Sequence, residues 1–264
     1  MSQSVQRVGQ VEIIGVSDGT MQGVDGSTFP DVPTSALTGL GGADGTLAMN
    51  FGCFLLRTPG LTVLVDTGVG GTLLQELAAR GVEPAQIQAI AYTHLHGDHI
   101  GWNLTGAGDD ARLTFPNARY HVPRGDWSHY VDASSDKYNP NVHAKFRLME
   151  ERGLIELVDD GAALCPELTI MASPGHTPGH CCILVESEGQ RAIIVGDAMI
   201  HPIQVGHPEW NSSYDGDPTS AARTRAGLVD RMAREGSLGA VSHFAAPGFG
   251  RVVREGAAAE WRPE

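Results

Sequence analysis

The stretch Thr93–Trp102, "THLHGDHIGW", places His94, His96, Asp98 and His99 within six positions. The apolar run "IQAIAY" just before it has strand character, and a strand continuing through His96 projects His94 and His96 to the same face. Gly97 then turns the chain, so Asp98 and His99 arrive at the turn or at the start of a helix. Four donors from one segment thus face a common point from two directions, which suits two metal ions better than one. Divalent first-row metals take neutral imidazole and carboxylate donors, and a catalytic site keeps positions open for water. More donors are therefore expected from elsewhere in the chain.

They are available where other apolar runs give way to loops, the places where sheets of this kind carry chemistry. "LTIMAS" leads into "PGHTPGH" and His176, "RAIIVG" ends at Asp197, and "AVSHFA" carries His243. Further out, "VEIIGV", "ARYHV", "IELV" and "CCILVE" read as strands, and "FGCFLL" and "LTVLVD" flank the hairpin signal "RTPG". Helical spacing marks "TLLQELAARG", "PNVHAKFRLMEERG" and "PTSAARTRAGLVDRMAREG". This mixture predicts sheets covered by helices on their outer faces, in one continuous domain over residues 1–264. Residues 19–45, rich in Gly, Asp, Thr and Pro, have no apolar period; such a stretch is a lid over a site or plain disorder, and the lid is preferred.

Composition excludes several partners. Eighteen basic against thirty-one acidic side chains give a formal charge of −13, which repels nucleic acid and anionic lipid, so neither is expected as a partner. No apolar run is long enough to span a membrane, and "MSQSVQRVGQ" lacks the apolar core of a secretory signal, so a cytoplasmic location is expected. Cys53, Cys165, Cys181 and Cys182 form no C-x-x-C pair and read as buried, reduced thiols. His121, His129, His143 and His207 read as ordinary hydrogen-bonded groups; His180 is left between a helper of the cluster and a packing or capping residue.

Taken in order, "LVDTG", "HLHGDH", "GHTPGH", "GDA" and a late strand-end histidine resemble the metallo-β-lactamase superfamily of binuclear metal hydrolases. The resemblance implies an α/β fold, the αβ/βα sandwich of two mixed β-sheets with helices on the outer faces and metals at one edge. By position it implies His94, His96 and His176 on a first metal, Asp98, His99 and His243 on a second, and Asp197 bridging them. Asp66 in "LVDTG" would support the ligand geometry. Two divalent ions are implied, zinc foremost, although the same donors accept manganese, iron or cobalt. Such a pair lowers the pKa of a shared water and polarises an electrophile; the bridging hydroxide attacks, with Asp98 orienting it or relaying a proton.

Substrate class follows from further resemblances. Only 21 residues follow His243, too few for the helical extension that binds glutathione thioesters, and neither the inserted domain nor the positive surface of the family's nucleases is present. Asp197 stands 21 positions after His176, a spacing similar to the lactonase and glyoxalase-type branches rather than to true β-lactamases. Acyl-homoserine lactonases carry a tyrosine three positions after the bridge, where this chain has Ile200. "GDAMIHPIQVGHPEW", "DPTSAARTR" and "SHFAAPGFGRV" resemble the branch containing methyl parathion hydrolase and related lactonases and arylesterases. A neutral small-molecule substrate is implied: a lactone or carboxylic ester, with phosphotriester cleavage as a side activity. The alternatives are an acyl thioesterase and a mononuclear iron persulfide dioxygenase. Trp102, Ile200 and His201 are expected to line the pocket, and relatives suggest a homodimer.

Overall fold

The computed structural model describes residues 5–24, 26–30, 32–33, 36, 47–256 and 258–264. Its strands are β1 (Val5–Val8), β2 (Val11–Val24), β3 (Leu47–Arg57), β4 (Thr62–Val65), β5 (Ala89–Ala91), β6 (Leu104–Thr105), β7 (Arg112–Leu113), β8 (Arg119–Pro123), β9 (Ile155–Val158), β10 (Ala163–Cys165), β11 (Leu168–Ala172), β12 (Cys181–Ser187), β13 (Gln190–Ile194), β14 (Leu238–Ala240), β15 (Phe249–Glu255) and β16 (Ala258–Pro263). Two seven-stranded sheets run β1-β2-β3-β4-β5-β8-β9 and β10-β11-β12-β13-β14-β15-β16, while β6 and β7 form a separate small hairpin. Both large sheets are mixed: β4, β5, β8 and β9 pair in parallel, as do β13 and β14, and the other pairings are antiparallel.

The reason for two sheets lies in strands that carry apolar residues at successive positions, and so on both faces. In β3, Phe54 and Leu56 face the second sheet, while Cys53 and Leu55 face the opposite way. In β12 and β13, Cys181, Ile183, Ala192 and Ile194 point into the same inter-sheet core, and Cys182 and Ile193 point outward. Successive side chains alternate faces, so such strands need cover on both sides. The inner faces cover each other, and helices cover the outer ones. Helices α1 (Leu73–Ala79) and α3 (Pro140–Glu151) pack on the first sheet, and α5 (Pro218–Glu235) packs on the second. Helices α2 (Arg124–Asp126) and α4 (Ile203–Gly206) are single turns. Proline at the first helical position fixes the starts of α3 and α5, where Asn139 and Asp217 accept the first free backbone N–H groups. The predicted αβ/βα sandwich is the observed fold.

Two expectations change. Residues 19–24 belong to β2, whose pairing with β3 reaches Val24↔Leu47. Much of the predicted 19–45 lid lies outside the described residues, but Phe29 and Val32 pack with Met49 and Ile200. Three of the four cysteines are buried and Cys165 is half-buried; all four are free thiols. Among the described residues no helix is long and apolar enough to cross a membrane.

Candidate metal centre

Because β4, β5, β11, β13 and β14 point the same way across the sandwich, the loops that follow them share one rim. This rim collects all seven donors named from the sequence. Their ligand atoms fall into two groups, His94, His96 and His176, then Asp98, His99, Asp197 and His243, with the atoms of each group within 4.8 Å of one another. Asp197 lies between the groups: Oδ2 is 3.5 Å from His176 Nε2, 3.8 Å from His94 Nε2 and 2.9 Å from His243 Nε2, while Oδ1 is 3.3 Å from His99 Nε2. Asp98 Oδ2 completes the second group at 3.4 Å from His243 Nε2.

The strand expected to continue to His96 stops at Ala91. Beyond it two buried carboxylates take the place of a neighbouring strand: the Thr93 N–H donates to Asp66 Oδ1 at 2.8 Å and the Leu95 N–H to Asp126 Oδ2 at 3.0 Å. His94 and His96 come together, their ring centroids 4.7 Å apart. Asp66 itself sits at φ +61°, a region that costs a non-glycine residue about 1–3 kcal/mol. Gly196 prepares Asp197 in a similar way. It has φ +59°, and a Cβ there would lie 2.8 Å from both His180 Nε2 and Thr93 Cβ.

The outer ring nitrogens are occupied, which turns inner lone pairs toward the gap. His99 Nδ1 donates to Asp66 (2.8 Å), His243 Nδ1 to the Asn50 carbonyl (2.8 Å) and His176 Nδ1 to Asp215 (3.3 Å). The Thr93 hydroxyl gives its proton to Asp66, so His94 Nδ1 must donate to that hydroxyl, 3.0 Å away. His96 is reversed: its Nδ1 faces His176 Nε2 at 3.0 Å and its Nε2 lies 3.4 Å from the Tyr130 hydroxyl. His94 Nε2, His99 Nε2 and Asp197 Oδ1 are buried without a hydrogen-bond partner. Buried polar atoms are normally paired, and three inward-facing orphans in one cluster fit a bound cation.

Electrostatics point the same way. Burial and the neighbouring His99 push His94 well down, and burial and His176 push His96 down to about 4, so both of these rings favour the neutral, metal-ligating form. Burial also opposes charge on His99 and His243, but Asp197 and its fellow carboxylates outweigh it and raise both. Asp197 is held well below the usual carboxylate range by His243, His99 and His94 despite its burial. The second group therefore calls for positive charge, which a divalent ion would supply.

The site opens into a cavity of about 380 Å³ with Met21, Met49, Phe51 and Ile200 as its apolar wall and Tyr214 at its side. Ile200 is part of this wall. Trp102 lies elsewhere, packed against the core of the first sheet with its Nε1–H donating to Asp18 at 3.0 Å. His201 also turns aside: its ring meets Phe29 edge-on, and Nδ1 accepts the Ile203 N–H.

Several supports escaped the sequence reading, and one, His180, was left open by it. Buried Arg225 donates to Asp215 (3.1 Å), which in turn holds His176. The signal existed, since Arg225 shares the buried face of α5 with Ala221, Leu228, Val229 and Met232, and a charge on such a face needs a partner. His180 accepts the Asp197 N–H at 3.0 Å; burial, then His176, pushes it down to about 3, which keeps that acceptor lone pair free. Tyr214, Asn50 and Asp126 carried no local signal.

Paired mixed sheets with a histidine–aspartate cluster at one rim are the architecture of a class of metal-dependent hydrolases. The chain belongs to the metallo-β-lactamase superfamily, whose pattern it matches over residues 53–234. It is 25% identical over 169 residues to an N-acyl homoserine lactonase from Bacillus sp, covering 54% of this chain and 61% of that protein. It is 29% identical over 138 residues to a hydroxyacylglutathione hydrolase from Francisella tularensis subsp. novicida, covering 49% and 42%. Over 154 residues it is 28% identical to an atrochrysone carboxyl ACP thioesterase from Passalora fulva, covering 56% and 37%. The chain thus matches less than two thirds of the length of each of these relatives. Its fold is similar to that of the dizinc quorum-quenching lactonase AidC in complex with a product (TM-score 0.86, 24% identity, 98% of this chain and 96% of that one). It is equally similar to hydrolase AbOPH of the beta lactamase superfamily (TM-score 0.88, 24% identity, 98% and 96%).

Proposed function

We propose that this protein is a hydrolase of neutral ester-type bonds, with lactones and carboxylic esters as its main substrates and phosphotriesters as a side activity. The observation that carries this reading is a cluster of inward-facing donors open to an apolar cavity whose lining, among the described residues, includes no serine, cysteine, threonine or lysine. Water is then the attacking group. His94, His96 and His176 would hold one divalent ion and Asp98, His99 and His243 a second, with Asp197 shared between them. When bound, the pair lowers the pKa of water and polarises the ester carbonyl.

The chain's own groups do the rest. Met21, Met49, Phe51 and Ile200 hold the uncharged acyl or alcohol portion and exclude water from it. The Asp98 side chain, one quarter exposed, borders the cavity and can take the proton of the attacking water and return it to the leaving oxygen. Tyr214 offers a phenol that can hydrogen-bond the substrate. Similarity to the homoserine lactonase favours the lactone, and similarity to the ACP thioesterase supports acyl thioesters as a second reading.

The test is metal analysis followed by a panel of lactones, aryl esters, phosphotriesters, thioesters and β-lactams. The expected result is two divalent ions per chain and base uptake on lactones or aryl esters. A single iron per chain with oxygen uptake and no ester turnover would move the protein to the oxidoreductases and end this proposal.

A further inference from the structure

Asp126 ends the single turn α2, is fully buried, and has only hydrogen-bond donors for partners. Its Oδ2 accepts the Leu95 N–H at 3.0 Å and the Thr177 hydroxyl at 2.9 Å, and its Oδ1 accepts the Gly179 N–H at 2.7 Å. Leu95 stands between His94 and His96, and Thr177 follows His176. The carboxylate therefore ties together the two loops that carry the three imidazoles of the first group. The backbones are pressed close to make this reach: a Cβ on Gly179 would lie 2.2 Å from the Asp126 nitrogen, and one on Gly125 would lie 2.7 Å from the Gly179 Cα. Asp66 acts differently: it holds His99 of the second group directly and reaches His94 of the first only through Thr93.

We propose that Asp126 is a positioning residue that sets the mutual placement of His94, His96 and His176, and through them the affinity of one metal ion rather than both. The proposal rests on the metal-site reading above. No strand pairs with Leu95, and the neighbouring backbone tie, the Cys181 N–H to the Thr93 carbonyl at 2.9 Å, falls before His94, so the carboxylate is what joins the His94–His96 segment itself to the Thr177–Gly179 turn beside His176. Asparagine has the right shape and the wrong pattern. With its oxygen on Leu95 and Thr177, its amide hydrogens face the Gly179 N–H.

The experiment titrates metal-free wild-type protein, D126N and T177V with zinc against a competing chelator dye, alongside hydrogen exchange of the metal-free proteins. In D126N one ion is expected to bind about 10–100-fold more weakly, the scale seen when an outer partner of a ligand is lost, with the other ion unchanged. The Leu95 and Gly179 amides should exchange faster. T177V removes one of the three bonds and leaves both amide contacts, so it should weaken the same ion by a few-fold; it carries the test if D126N does not fold. Two ions bound by D126N as by wild type, an equal loss at both ions, or unchanged protection at Leu95 and Gly179 would overturn the proposal. A wild-type protein that binds two zinc ions yet hydrolyses no ester ends the functional reading alone, since affinity and exchange are read without substrate.

Discussion

The rim of the first sheet delivers His94, His96, Asp98 and His99 from one six-residue run after β5, whereas the rim of the second delivers His176, Asp197 and His243 from separate loops after β11, β13 and β14. The first set is held through its own backbone: Asp66 and Asp126 accept N–H groups from the run itself. The second is held one residue at a time by separate partners, with the buried Arg225–Asp215 pair behind His176, the Asn50 carbonyl behind His243, and His180 under the Asp197 backbone. Damage to supports of the first rim should therefore appear in metal affinity, and damage to supports of the second should appear also in folding.

The sharpest break is Asp197→Ala, because this side chain spans both groups. Metal content by elemental analysis should fall at both ions, and kcat/KM should drop by more than the roughly 100-fold that losing an outer partner costs. A variant that keeps two ions and wild-type turnover would contradict the assignment. Next is Arg225→Met, which leaves Asp215 buried without its cation. Removing one member of a buried pair costs about 3–5 kcal/mol, so the thermal midpoint should fall by about 10 °C.

Asp66→Asn tests the first rim. About 10–100-fold weaker zinc binding is expected, with a smaller change in melting temperature than Arg225→Met produces. The smallest effect concerns His201, beyond the second rim. Burial pushes this imidazole down to about 4, below the ordinary value near 6.5. The folded state thus prefers the neutral ring, whose Nδ1 accepts the Ile203 N–H. That contribution is fully present above about pH 6.5 and is lost as pH falls toward 4. Unfolding free energies from urea titration at pH 7 and pH 4 should differ less in His201→Asn than in wild type, by about 1–2 kcal/mol given the ring's partial exposure.

The contrast between the rims also explains what could be read in advance. Four donors in six residues declare a metal site by themselves, because no solvated turn needs that concentration of imidazole. His176, Asp197 and His243 look ordinary one at a time, and only their position at strand ends, together with the family order, singles them out. The two-sided burial of β3, β12 and β13 was legible as unbroken apolar runs. The β15–β16 hairpin was not read: "GRVVREGAAAEWRP" has its short apolar runs broken by charges, and β16 is an edge strand covered on one face by Phe244 and α4. The Gly19–Val24 stretch looked like loop because its strand form depends on pairing with β3, a tertiary effect. Asp126 and Asp215 gave no sign, since a single acidic residue in a loop or short turn has no period or spacing to betray its burial.

All the chemistry described above lies past the C-terminal ends of strands, whereas the tight turn at Glu188–Gly189, between β12 and β13, projects from the far end of the sandwich. A dye, an affinity handle or a surface linker attached at Glu188 should therefore leave catalysis untouched. An enzyme immobilised there would present its mouth to the liquid, which makes that turn the natural anchor for a sensor or a packed-bed reactor.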